Sequence, residues 1–153
     1  MNSLAEQYAD QKVGSIFLYT HEAHPGENYP HLTSMEQKFR HAEALRDVLG
    51  VNRPILVDAL DGACHRAYGS MPNMTWIFNQ NGVVHYKSNW TDTGSVARAL
   101  EHLMDVTRRR RQRENLTPFI VEKLDYRVSD RDRFIRGLER SGPKAVEEYT
   151  KIF

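Results

Sequence analysis

The chain has 153 residues, with 21 Lys and Arg against 20 Asp and Glu, and it is 40% hydrophobic and 27% charged with one cysteine. That length suits one domain with a core plus a short appendage, and the balanced charge offers no field to attract nucleic acid or an anionic membrane. A lone thiol excludes an internal disulfide, a four-cysteine zinc site and an intramolecular dithiol pair. No 18-residue apolar run is present and Met1 to Asp10 lacks a signal-peptide pattern, so a cytoplasmic, non-membrane protein is expected. In that setting the Asn-x-Thr triplets at Asn73, Asn89 and Asn115 have no glycosylation meaning.

In chain order, residues 2–11 read as a helix, with Leu4 and Tyr8 one turn apart. Gly14 opens Ser15-Ile16-Phe17-Leu18-Tyr19, an apolar run of strand length that predicts a buried strand. Pro25, Gly26 and Pro30 make His21 to His31 a loop. Ser34 and Gln37 form a capping-box pattern ahead of a helix whose stripe is Met35, Phe39, Ala42, Leu45 and Leu49, with Gly50 as its stop. Pro54 to Val57 is a short strand ending at Asp58, and Asp61 to Tyr68 about two helical turns. Thr75–Phe78 and Val83–Tyr86 flank Asn79-Gln80-Asn81-Gly82 as an antiparallel hairpin. Val96, Leu100, Leu103 and Val106 mark a further amphipathic helix.

This order predicts an α/β chain, a mixed sheet flanked by helices. Composition changes at Arg108, which opens a run of arginines to Arg113. We therefore place one domain at 1–107 and an Arg-rich linker with a helical C-terminal extension at 108–153. In that extension Asp130 caps a helix carrying Phe134, Ile135 and Leu138, and Pro143 sits in the first turn of the last helix.

The strand and loop Phe17-Leu18-Tyr19-Thr20-His21-Glu22-Ala23-His24-Pro25-Gly26-Glu27 resemble the iodothyronine deiodinases and their bacterial redoxin-like relatives, which place Glu-Ala-His directly after an apolar strand. Further matches follow in order at Arg53 to Asp58, Ala67-Tyr68-Gly69, Pro72 and Val84-His85-Tyr86-Lys87, covering roughly residues 4 to 105. The resemblance implies a thioredoxin-like fold. It also implies a nucleophile, cysteine or selenocysteine, on a first strand that has no counterpart after Met1. The fold expected is thus thioredoxin-like but N-terminally abbreviated, with an open edge for a second copy or the tail to cover.

Glu22 and His24 carry the best chemical case: both end a parallel-type strand, and the resemblance implies active-site roles for them. A histidine exchanges protons near neutrality, and a carboxylate beside it fixes its tautomer. Against this stands the plainer role of loop residues capping backbone groups. His21 and His31 are assigned to substrate binding, His31 because the resemblance implies a substrate-contacting histidine shortly before the next helix. Pro72 and Asn73 join them, because thioredoxin folds set a cis-proline beside the active site. The spacing of His21, His24, Glu27 and His31 permits a metal chelate, but solvated loop histidines are the preferred reading, and neither metal nor cofactor is assigned. Cys64, beside His65, reads as a small core cysteine, since adjacent helical residues point about 100° apart. The arginine run reads as a solvated helix end.

These readings lead to an enzyme acting on a small organic substrate by non-redox acid–base chemistry, such as isomerisation, cyclisation, elimination or hydrolysis, through His24 and Glu22. The alternatives are a truncated thiol or selenol oxidoreductase and a non-catalytic binding or assembly protein. A homodimer is expected.

Overall fold

A computed structural model of the chain describes residues 1–116 and 130–152. Its elements are α1 (Asn2–Ala9), β1 (Phe17–Tyr19), α2 (Met35–Asp47), β2 (Ile55–Val57), α3 (Ala63–Ala67), β3 (Thr75–Phe78), β4 (Val84–Ser88), α4 (Thr93–Arg111), α5 (Arg131–Ser141) and α6 (Pro143–Ile152). This is a mixed α/β chain. It divides into two compact units, Met1–Pro72 with Ser129–Phe153 and Asn73–Val128. The expected extension is described only to Leu116 and again from Asp130, so 117–129 and Phe153 lie outside the described residues.

In the first unit β1 and β2 pair in parallel, Phe17 opposite Ile55 and Tyr19 opposite Val57, and α2 packs on β2. Ser34 starts α2 as its composition suggests, its Oγ accepting from the Gln37 N–H at 3.1 Å. Gln37 Oε1 in turn takes the Thr33 N–H at 2.8 Å, one residue earlier than a standard capping box.

The buried face of α2 differs from the expected stripe. Lys38 is 1% exposed and Ala42 is buried one turn on, whereas Phe39 is 52% exposed and Leu49 is also exposed. A buried ammonium is tolerated only where it finds acceptors. Lys38 Nζ donates to the Ala59 carbonyl at 3.0 Å, with the Asp58 carboxylate close enough to act on its charge. The strand expected over 15–19 shortens to three residues, and only Tyr19 of it is buried, while Ile16 is 60% exposed. Leu56 of β2 is exposed too.

The C-terminal helices belong to this first unit. Asp130 Oδ1 accepts from the Arg133 N–H at 2.9 Å to begin α5, and Pro143 begins α6. The two pack on each other, burying Leu138 and Ala145. Residues 26–28 hold the pair in place. Both Glu27 carboxylate oxygens accept from the Lys144 N–H, at 3.2 and 3.1 Å, which caps α6. Asn28 donates its N–H to Ser141 O and its Nδ2–H to Arg140 O, each at 3.0 Å. Gly26 is required by closeness, because a Cβ there would lie 2.2 Å from the Ser141 carbonyl oxygen.

The second unit is a hairpin and a helix. β3 and β4 are antiparallel with an irregularity between Ile77 and Phe78. Asn79 Oδ1 accepts from the N–H groups of Asn81 and Val83, at 2.9 and 3.0 Å, and Gly82 takes φ 75°, as the turn sequence predicts. Asp92 caps α4 through Ser95 N–H at 2.7 Å, and Val96, Ala99, Leu100 and Leu103 are buried where α4 meets β4. The helix continues through Arg111, so the compositional boundary at 107/108 falls inside it. Arg108 and Arg109 pair with Asp105 and Glu114.

Two expectations are corrected. The strands form two two-stranded sheets among the described residues, not one mixed sheet. No described peptide bond is cis, so the bond between Met71 and Pro72 is trans.

Candidate functional site

Open α/β sheets present ligand sites beyond the C-terminal ends of parallel strands, because the connections there diverge and expose loop backbone. In the first unit β1 runs out into Thr20–Ala23 and β2 into Asp58–Gly62. The two loops flank a cleft of about 500 Å³ lined by, among others, His21, Glu22, His31, Asp61 and His65. Three of the residues named from sequence, His21, Glu22 and His31, thus meet at one cleft.

Glu22 is the most constrained of them. Tyr19 O–H donates to its Oε1, and His41 Nδ1 of α2 lies 3.2 Å from the same oxygen and 3.4 Å from the Tyr19 hydroxyl. A carboxylate oxygen only accepts, so an ionised Glu22 places the His41 proton on Nδ1. The side chains of His41 and Glu22 are 9% and 20% exposed, which puts the group at the inner wall of the loop. The Tyr29 ring stands edge-on to His41 at 5.2 Å. Burial pushes the Tyr19 hydroxyl well above its usual range, and its bond to Glu22 adds to the shift. Tyr19 therefore stays a neutral donor.

His21 and His65 face each other with ring centroids 4.8 Å apart. His65 Nε2 lies 2.9 Å from the Met71 carbonyl, and a carbonyl only accepts, so Nε2 carries the proton and Nδ1 is free to accept in the neutral ring. His21 is pushed below the ordinary histidine range, by desolvation first and then by the charges of His65 and Lys38. It is thereby a neutral base near pH 7.

Asp58 supports this wall from beneath. Its carboxylate accepts from the Cys64 N–H at 3.0 Å and the His65 N–H at 2.8 Å, fixing the first turn of α3. Burial alone would raise its carboxyl. The N–H groups of His65, Cys64 and Ala59, with the Lys38 charge, hold it below the ordinary value instead. Cys64 itself is half-buried in α3.

His24 goes elsewhere. Its ring meets Phe134 and Tyr149 edge-on, at 5.7 and 6.1 Å, while Glu22 takes its hydrogen bonds from Tyr19 and His41. Glu22 and His24 still line a common second cleft of about 340 Å³ beside α5. Glu27 caps α6, and among the described residues no group of three or more His, Cys, Asp or Glu is placed to hold a metal. Asn73 lies in the second unit, where its carbonyl accepts the Thr91 N–H at 2.8 Å.

Sequence reasoning missed Tyr19, His41 and His65 as site residues. A signal existed for Tyr19, a polar aromatic ending an apolar strand three residues before Glu22. His41 lies 19 residues from Glu22, and only the packing of α2 brings them together.

Comparisons of the chain with protein-family models, with curated proteins and with solved structures give no match. No described helix is long and apolar enough to cross a membrane.

Proposed function

We propose that the chain is a redoxin-like enzyme that moves protons on a small organic substrate in the cleft between the loops after β1 and β2. The observation that carries this reading is the pairing of His21 with His65 at 4.8 Å beside a Glu22 locked by Tyr19 and His41. His21, depressed below its ordinary range, serves as general base. The Glu22–His41–Tyr19 group holds the loop carboxylate in one position, and ordered charge of this kind stabilises a developing positive centre. Proton abstraction of this type serves isomerisation, cyclisation, elimination or hydrolysis. The parallel βαβ unit followed by an antiparallel hairpin and a helix supports the thioredoxin-like part of the reading, since that is the element order the sequence resemblance implies.

The departure from the sequence expectation concerns the base. The sequence pairs His24 with Glu22, whereas the geometry favours His21. A panel of small carbonyl acids, esters and β-hydroxy acids, followed by proton NMR for turnover and for solvent deuterium uptake, tests this. His21→Asn should lower turnover about a hundredfold or more, as expected for loss of a general base, with the circular dichroism unchanged. Turnover undiminished in His21→Asn, or no turnover or exchange of any class, overturns it.

A further inference from the structure

The second cleft, beside α5, has a feature that neither stability nor folding explains. Gly137 stands mid-helix in α5, where glycine is less favourable than alanine by about 0.5–1 kcal/mol. Such a residue is usually retained for a close approach or a positive φ. Neither applies here, because a Cβ on Gly137 would meet nothing within 4 Å. The contrast with Gly26 and Gly142 is sharp: a Cβ on either would run into the chain that docks the helical pair. What Gly137 leaves open is the cleft itself, which it lines together with Glu22, Ala23, His24, Arg133 and Phe134.

The lining has a consistent chemistry. Arg133, Phe134, Gly137, Leu138 and Ser141 recur at the three- and four-residue steps that share one helix face. Phe134 and His24 supply ring walls, held edge-on to each other at 5.7 Å, and Leu138 is buried behind them. Glu22 takes its contacts from Tyr19 and His41 on one oxygen, Oε1. Arg133 is an exposed lining residue, and a guanidinium's planar donors match a carboxylate. The volume, about 340 Å³, is within the range of small-molecule sites. The walls are fixed because Glu27, Asn28 and Gly26 pin the α5–α6 turn to the loop that carries His24.

We propose that this cleft binds a small carboxylate with an apolar or aromatic body, the body lying over Gly137 against the outer side of the Phe134 and His24 rings and the carboxylate on Arg133. The proposal stands apart from the acid–base reading, because binding is measured without turnover. Titration of the full chain with phenylacetate, followed by calorimetry and by chemical shifts of labelled protein, tests it, with phenylacetamide as the uncharged comparison. Saturable one-to-one binding is expected, with the amide at least about tenfold weaker, as for loss of a charge-assisted hydrogen bond. Arg133→Gln should weaken phenylacetate by about the same factor. Gly137→Leu should abolish binding while leaving helix content and unfolding midpoint unchanged or raised, since its Cβ meets nothing. Absence of saturable binding to the unaltered chain, equal affinity for acid and amide, or an affinity that neither substitution changes overturns the proposal.

Discussion

Replacing Asp58 with alanine removes the acceptor on which the candidate site rests. The carboxylate is 4% exposed, accepts from two α3 N–H groups at 3.0 and 2.8 Å, and faces an ammonium, Lys38, that is 1% exposed. Alanine strips both N–H groups of their partner and takes from Lys38 the carboxylate that acts on its charge most strongly, leaving it the Ala59 carbonyl and the weaker influence of Asp61. Hydrogen bonds to a charged group are worth about 1.5–3 kcal/mol each, and Lys38 loses favourable charge interaction besides. These effects overlap, so we expect Asp58→Ala to destabilise by about 4 kcal/mol. In a chain of this size that lowers the unfolding midpoint by roughly 8–16 °C. Urea unfolding followed by circular dichroism measures it, and the Lys38→Met background isolates the charge. There the same Asp58→Ala change should cost at least about 1 kcal/mol less, since no buried ammonium loses a nearby carboxylate. The dependence on acid has a definite sign. Asp58 is held below its ordinary value in the folded chain, so the unfolded chain binds this proton more readily. Its contribution is complete above the unfolded carboxyl pKa of about 3.9 and is lost as pH falls further. Asp58→Ala should flatten that acid limb. A loss under about 1 kcal/mol, or an equal loss with and without Lys38, would refute the reasoning.

Gly26→Ala places a methyl group 2.2 Å from the Ser141 carbonyl oxygen, so the α5–α6 pair must shift. Overpacking of this kind costs about 1–3 kcal/mol, and limited trypsin digestion should cut sooner at Arg131, Arg136 and Arg140; an unchanged cleavage rate would count against the docking described. His21 should titrate below 6.5 when its ring protons are followed by NMR. Because the depressed group resists protonation in the folded chain, its contribution to stability is present above that value and lost as pH falls, and a midpoint at or above 6.5 would remove the basis for His21 as base.

Much of the local structure is legible from the chain alone, because it is decided by groups a few residues apart. Ser34, Asp130 and Pro143 start their helices where their chemistry places them, and Asn79 with Gly82 makes the turn of the hairpin. Glu22, His21 and His31 can be picked out by type and by position after an apolar strand, and they do meet at one cleft. The periodicity argument fails at α2 for a physical reason. It ranks side chains by hydropathy and so favours Phe39, whereas Lys38 turns inward because Ala59 and Asp58, at least 20 residues away, offer it an acceptor and a charge. The same limit hid His41 and His65, whose neighbours Glu22 and His21 are distant in sequence.

From the opening counts, the sequence by itself determined the mixed α/β class, the turns and caps, and that no more than one thiol is available. Tertiary structure alone decided which histidine sits near which carboxylate. It drew His24 to the rings of Phe134 and Tyr149, gave Glu22 to His41, and joined the C-terminal helices to the first unit through Glu27 and Gly26. Caps and turns are short-range and are written into neighbouring residues. Pairings across an entire unit depend on which surfaces pack, and no local pattern encodes that.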